Sequence, residues 1–406
     1  MTFLLEKILK AFIRAGALTV ILPDGTARSF KGAENGRAAT IRINADSALR
    51  GLLLNSELAF GESWMNGDIE AVDCSLEDVL TVLMDNMRSS NHLLNRLEAY
   101  GRYMTRRVRQ LNGLVRARKN IAQHYDLNRA LYALFLDDDM QYSCAYFERD
   151  DMTLEEAQAA KKRHIAAKLR LDRPGLQVLD IGCGWGGMAL TLAKDYGAHV
   201  TGITLSREQL EVSRQRAQEA GLDKQVTFEL RDYRKSQQTY DRIVSVGMFE
   251  HVGINHYDAF FQTVARSLNP DGVALIHAIG RSDGPGSTNP WINKYIFPGG
   301  YSPALSEVLP SVERSGLWLT DCEILRLHYA KTLSAWRERF RKNRDQIRTL
   351  YDERFCRMFE FYLTGAELAF RLQGHMNFQL QLTKDINAVP LTRDYMIQDA
   401  RRPKEK

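Results

Sequence analysis

The sequence predicts an α/β protein: a doubly wound, mostly parallel sheet, preceded by a smaller N-terminal α+β domain. Three observations lead there. From Ile121 onward, short β-branched runs alternate with helical stretches, the pattern of strands joined by crossover helices. Within that region Val178-Leu179-Asp180-Ile181 runs straight into Gly182-Cys183-Gly184-Trp185-Gly186-Gly187, a strand ending in a glycine turn ahead of a helix. Before residue 96 the order is different, with closely spaced short strands grouped together behind one opening helical pattern and further helices after them.

The N-terminal elements follow from periodicity and turn chemistry. Phe3, Leu4, Leu5, Ile8, Leu9, Phe12 and Ile13, interleaved with Glu6, Lys7, Lys10 and Arg14, predict an amphipathic helix rather than a signal peptide. Such a helix either docks on the first domain or lies in a lipid interface. Strands are expected over residues 17–22, 27–31 and 38–43, the first pair separated by the turn Pro23-Asp24-Gly25. Asp46 or Ser47 is placed to cap a helix carrying Leu49, Leu52 and Leu53, and Ser75 with Asp78 to form a capping box. These elements make residues 1–95 one domain, and residues 123–406 are assigned to a second. Between them, residues 96–122 hold Arg102, Arg106, Arg107, Arg109, Arg116, Arg118 and Lys119 without an acid among them. That stretch reads as a solvated helical linker or as a surface for anionic phospholipid headgroups. No accompanying motif points to nucleic acid.

In the second domain strands are expected over residues 177–181, 200–203, 226–230, 242–246 and 273–279, with helices over 188–196, 207–220 and 257–268. The chain has 406 residues, 44% of them hydrophobic, so a sizeable core is available. Its apolar runs fall far short of the roughly 18 to 20 residues that cross a bilayer. Five scattered cysteines without C-x-x-C spacing suggest neither disulfides nor zinc, and a cytoplasmic setting.

Gly182, Gly184 and Gly187 satisfy G-x-G-x-x-G, a pattern shared by several nucleotide folds. A nicotinamide site requires an acid at the end of the second strand to bind ribose hydroxyls, but that strand ends Gly202-Ile203-Thr204-Leu205-Ser206. Instead Asp180 immediately precedes the glycines. This D-x-G-x-G turn resembles that of class I methyltransferases, which implies glycines that let the backbone approach the methionyl part of S-adenosyl-L-methionine.

Further segments narrow the resemblance. His124-Tyr125-Asp126, Met140-Gln141-Tyr142-Ser143-Cys144-Ala145-Tyr146, Asp232-Tyr233-Arg234, Val246-Gly247-Met248-Phe249-Glu250-His251-Val252-Gly253, Trp291 through Gly300 and His328-Tyr329-Ala330-Lys331-Thr332-Leu333 all resemble the cyclopropane-fatty-acyl-phospholipid synthase family. The likeness runs from about Ile121 to Lys384. It implies a cofactor pocket lined by Tyr142, Ser143, Gly182, Gly184, Thr204, Leu205, Gln209, Tyr233 and Arg234, with Asp180, Gly186, Ser206, Asp232 and Gly247 in the same segments. It also implies a bicarbonate ion as catalytic base, held by Cys144, Glu250, His277, Tyr329 and the backbone of Ile279. Cysteine, tyrosine and histidine donate hydrogen bonds and glutamate accepts one from the bicarbonate hydroxyl, so the residue types suit that task. No metal is expected, since the adjacent Glu250 and His251 do not face one ligand.

The implied reaction is methyl transfer to the cis double bond of an unsaturated phospholipid acyl chain at the membrane surface, followed by deprotonation to a cyclopropane. The implied assembly is a homodimer bound peripherally at the inner face of the membrane. A methyl- or methylene-branched product and a non-catalytic lipid-binding role are the competing readings. Two departures from the family pattern stand out: Asn128-Arg129-Ala130 replaces the usual Gly-Asn-Asp, and Ala366 stands where many relatives carry a cysteine.

Overall fold

A computed structural model of the chain describes residues 2–89 and 129–401. The basic stretch, His124-Tyr125-Asp126 and Asn128 lie outside the described residues. The rest forms two compact units.

The first unit holds a four-stranded sheet of β1 (Ala15–Ile21), β2 (Ala27–Lys31), β3 (Glu34–Ile43) and β4 (Ile69–Ala71) in the order β2-β1-β3-β4. Gly25, at φ +80°, closes the β1–β2 turn, and Thr26 donates its backbone N–H to Asp24 Oδ1 at 2.9 Å. Helix α1 (Thr2–Phe12) presents Leu5, Leu9 and Phe12 to the core below. Helix α2 (Asp46–Leu54) departs from expectation: Ala45 occupies the cap position and supplies no side-chain acceptor, and Asp46 opens the helix instead. An acid there still favours the helix dipole. Helix α3 is Ser56–Asn66, and α4 (Leu76–Ser89) starts at the expected box, in which Ser75 and Asp78 bond each other reciprocally.

This unit is not continuous in sequence, for Ser287–Pro298 and Ala330–Gly374 belong to it. Helix Glu353–Leu372 packs on α3 and α4, and its Leu368 joins their core. Arg357 donates to the carbonyls of Trp64 and Ile69 at 2.7 and 3.0 Å. Trp291 is buried against Met65, with indole N to sulfur at 3.0 Å, and against the Phe361 ring. Periodicity shows that such helices are amphipathic. It does not show which core they cover.

The second unit contains α5 (Arg129–Phe135), α6 (Leu154–Lys168), β5 (Gln177–Ile181), α7 (Gly187–Tyr196), β6 (His199–Thr204), α8 (Arg207–Glu219), β7 (Val226–Leu230), β8 (Tyr240–Val246), α9 (Tyr257–Ser267), β9 (Leu268–Arg281), β10 (Trp318–Ile324) and β11 (His375–Thr383). Its seven strands run in the order β10-β11-β9-β8-β5-β6-β7, with β5 to β9 parallel and β11 antiparallel to both neighbours. The two-residue period divides the apolar side chains between the faces: Leu179, Ile181 and Ile243 pack on one side, Val178, Val200 and Val244 on the other. The chain leaves β5 toward β6 and β7, then returns on the other side as β8 and β9. The crevice beyond the carboxyl ends of β5 and β8 is therefore the topological switch point, where such sheets bind ligands.

The expected strands are present, three of them (β2, β5 and β7) with the expected bounds, while β4, β10 and β11 were not foreseen. In β11 the alternation of Phe378, Leu380 and Leu382 with Asn377, Gln379 and Gln381 disguises a strand buried on both faces.

Candidate active site

A cavity opens at the switch point. Its floor is the glycine turn, in which Gly182, Gly184 and Gly186 have φ of +83°, +54° and +86°. Side chains resist that region, so glycine is required for the bend. A Cβ on Gly182 would lie 2.8 Å from Met248, and one on Gly186 2.8 Å from Phe228. The turn is tied to the neighbouring strand by the N–H groups of Gly182 and Cys183, both donating to the Ile203 carbonyl at 2.9 and 3.0 Å.

Of the sequence-predicted cofactor residues, Tyr142, Ser143, Asp180, Gly182, Gly184, Thr204, Leu205, Gln209, Asp232, Tyr233, Arg234 and Gly247 line this cavity. Gly186 and Ser206 do not. Gly186 caps α7 and makes room for Phe228 and Ser213, while the Ser206 hydroxyl caps α8 by accepting the Gln209 N–H at 3.3 Å. Both shape the walls from behind. Thr204 Oγ1 donates to Gln209 Oε1 at 3.0 Å, joining the end of β6 to α8. Arg234 grips Asp232 with two hydrogen bonds of 2.9 and 2.8 Å and lies over the Tyr233 ring. Burial pushes the Tyr233 hydroxyl up to about 12, so it stays protonated and available as a donor.

Asp180 is different. Burial pushes its carboxyl up to about 7, opposed by the charge of Lys161, and its Oδ2 has no hydrogen-bond partner among the described residues. A buried, unpartnered carboxylate oxygen in a cavity wall suits a cationic group on a ligand. The α-ammonium of S-adenosylmethionine is such a group.

The predicted catalytic residues form no part of that lining. Glu250 follows β8 and turns toward β9, where Oε1 accepts the Ile279 backbone N–H at 2.6 Å. Burial pushes its carboxyl up to about 7, and Oε2 is unpartnered among the described residues. His277 is buried on β9, its Nδ1 3.1 Å from Gln379 Nε2 and its Nε2 3.5 Å from Asn377 Nδ2. Burial drives its pKa down to about 3, so it is neutral at working pH. Cys144 and Tyr329 are both buried. A backbone bond of 2.9 Å from Gly247 N–H to the His277 carbonyl links His277 to the cavity wall.

Sequence reading missed the layer behind the site. Lys161 is fully buried and donates to Gln141 Oε1 at 2.5 Å and Ser143 Oγ at 2.9 Å. Gln158, one turn earlier on α6, donates to the Gln141 and Ser143 carbonyls. Asp139 binds Lys162 and Arg216. The signal was the polar spacing Gln158/Lys161 within an alanine-rich helix, and Asn377/Gln379 within a strand of apolar residues. Among the described residues no group of three or more His, Cys, Asp or Glu is arranged to hold a metal ion.

Strand order, the glycine turn, the unpaired Asp180 and the acid-free end of β6 together define a methyltransferase that uses S-adenosylmethionine. A family model described as mycolic acid cyclopropane synthetase matches residues 113–380, and a domain of unknown function matches residues 4–94. The cyclopropane-fatty-acyl-phospholipid synthase of Escherichia coli K12 is 40% identical over 355 residues, covering 87% of this chain and 90% of that one. The tuberculostearic acid methyltransferase UfaA1 of Mycobacterium tuberculosis is 37% identical over 372 residues, covering 87% and 84%. Mycolic acid cyclopropane synthase CmaA1, solved with SAH and CTAB, superposes with a TM-score of 0.62 at 36% identity, over 65% of this chain and 97% of that one. The chain belongs to the cyclopropane synthase family.

Proposed function

We propose that the protein transfers the methyl group of S-adenosylmethionine to the cis double bond of an unsaturated phospholipid acyl chain and closes a cyclopropane ring with the help of bicarbonate. The observation that carries this reading is the likeness to the E. coli phospholipid enzyme, which extends over both the N-terminal region and the methyltransferase. The cofactor supplies an electrophilic methyl on a sulfonium. An isolated alkene is a weak nucleophile, so the protein's contribution is positioning, which can supply roughly 7 to 11 kcal/mol. In this reading Asp180 would receive the ammonium, the glycine turn would accept the methionyl chain, and Tyr233 would offer a face to the adenine.

After transfer, the positive charge is on the acyl chain and a proton must leave the new methyl group. Cys144, Glu250, His277 and Tyr329 suit a small hydrogen-bonding anion such as bicarbonate, because Glu250 Oε2 is an unpartnered acceptor and neutral His277 can donate. The Ile279 N–H, already given to Glu250, aims that carboxyl. Phe249 and Tyr329 are candidate faces for the cation.

For membrane association the support is α1. Below it Leu5 is buried, while Phe3, Leu4 and Ile8 are 69, 52 and 47% exposed beside Lys7 and Lys10. An exposed apolar row flanked by lysines suits an anionic bilayer surface. No helix among the described residues is long and apolar enough to cross a membrane. Family likeness is the ground for a homodimer at the inner face of the membrane, and sedimentation equilibrium tests it.

The deciding assay incubates the purified protein with labelled S-adenosylmethionine, vesicles of unsaturated phosphatidylglycerol and phosphatidylethanolamine, and bicarbonate present or removed. Ring protons in the product NMR, dependent on bicarbonate, are expected. No label in lipid defeats the proposal. A retained olefinic proton favours a branched product, the second reading, for which the similarity to UfaA1 speaks.

A further inference from the structure

The cavity lining contains two carboxylates, Asp180 and Asp232. Asp232 is occupied by Arg234 through two hydrogen bonds, which leaves Asp180 for a cationic ligand group. Asp180 serves that purpose only while ionised, and its burial opposes ionisation. A nearby cation is the available remedy.

Lys161 is that cation. It has no solvent exposure, and among the described residues no carboxylate lies within ion-pairing distance of it. A buried ammonium held only by neutral oxygens is costly, and a fold retains one where its charge acts on something. Two of its three N–H groups go to Gln141 and Ser143, both in the cavity wall. The same segment is fixed from either side: Asp137 accepts the Gln141 backbone N–H at 2.8 Å, and Asp139 accepts from the Gln141 amide at 2.9 Å. We propose that Lys161 is a positioning residue for the cofactor: its ammonium pins Gln141 and Ser143 and keeps Asp180 a carboxylate facing the methionyl ammonium.

Burial pushes Lys161 itself down to about 8, so it carries its charge over all but the top of the range from pH 6 to 8; the charged and titratable groups around it are Asp137 and Asp139 ahead of Gln141, Lys162 on its own helix, Cys144, Asp180 on β5 and His277 on β9. Asp139 is neutralised by Lys162 and Arg216, and His277 is neutral. Asp180 is the member of this set that both lines the cavity and titrates near neutrality, at about 7.

The test is the pH dependence of S-adenosylhomocysteine affinity, measured by calorimetry between pH 6 and 8. The inference rests on this cavity being the cofactor site: no binding by the intact chain at any pH defeats both claims, whereas binding that ignores pH defeats only this one. With Asp180 titrating at about 7, the intact chain should gain about tenfold in affinity across that range. In Lys161→Met the midpoint should rise. A rise of one unit lowers affinity at pH 7 about fivefold, recoverable at higher pH. The ligand's own titration is common to every arm. A loss of the same factor at every pH, or no loss, overturns the proposal, because a merely structural lysine would behave in that way. Lys161→Arg keeps the charge and should keep the midpoint even if its size lowers affinity. Should the Met variant not fold, an upward-shifted midpoint in the Arg variant, or an unaltered pH slope in Asp180→Asn, overturns it.

Discussion

Replacing Glu250 by glutamine should change two measurable quantities in opposite directions. Glu250 is buried, and burial outweighs the Ile279 N–H in lifting its carboxyl from 4.5 to about 7. Between those values the folded protein holds a proton that the unfolded chain releases, so the folded state loses stability as pH rises through the window. A shift of that size corresponds to about 3 kcal/mol, most of it expressed between pH 5 and 8. Glutamine keeps the shape and cannot ionise. The intact chain should therefore lose about 2 to 3 kcal/mol more than Glu250→Gln on going from pH 5 to 8. His277 acts with the opposite sign: its depressed pKa makes its contribution disappear as pH falls, but it is common to both proteins and cancels in the difference.

Native-state hydrogen exchange at amides of β8 and β9 is the appropriate assay, since it reads the unit containing Glu250. A difference below about 0.5 kcal/mol, the scale of an ordinary surface substitution, would mean that Glu250 is already ionised in the fold and would refute the reasoning. Turnover should fall far more than S-adenosylmethionine affinity, because Glu250 does not line the cofactor cavity. Equal loss of both would mark Glu250 as structural.

Three other substitutions separate parts of the molecule. Gly182→Ala forces a side chain into φ +83° and places its Cβ 2.8 Å from Met248, so S-adenosylhomocysteine affinity by calorimetry should drop while circular dichroism stays native; the loss should be about tenfold, or about 1.4 kcal/mol. Gly61→Ala would bring a methyl within 2.5 to 2.7 Å of the buried Trp291 ring. Its urea midpoint should fall by the equivalent of about 1 to 3 kcal/mol despite alanine's better helix propensity. Lys168→Met leaves Asp321 and Glu323 without the buried ammonium they share, although Arg393 and His164 remain beside them. A loss of about 3 kcal/mol, read as a lowered Tm, is expected.

The fold of the second unit was legible because strand alternation and a glycine turn are local signals. Residues 177–181 are short, apolar and followed by glycines, and they form the strand expected. Asp180 was legible for the same reason. What escaped notice depends on contacts distant in sequence. Lys161 looks like any helical lysine until α6 is laid against Gln141 and Ser143, and the polar residues of β11 acquire meaning only beside His277. The Ser75–Asp78 box was visible three residues apart. Trp291 was noticed as part of a family-like segment, but its burial against Met65 could not be inferred from neighbouring residues.

In cyclopropanation the carbon that leaves the sulfonium is the carbon that then loses a proton, so methyl donor and base have to reach one atom. In the proposed reaction the segment after β8 would serve both. Gly247, Met248, His251 and Val252 line the cofactor cavity, whereas Glu250, within the same turn, points to the Ile279 amide. Gly247, at φ +66°, also gives its N–H to the His277 carbonyl, which fixes the spacing between cavity wall and β9 through the backbone. Side chains can vary around such a link without moving it. The cofactor side and the proposed bicarbonate side are thus positioned by one short piece of chain. A shift in that piece would misplace the methyl and the base together.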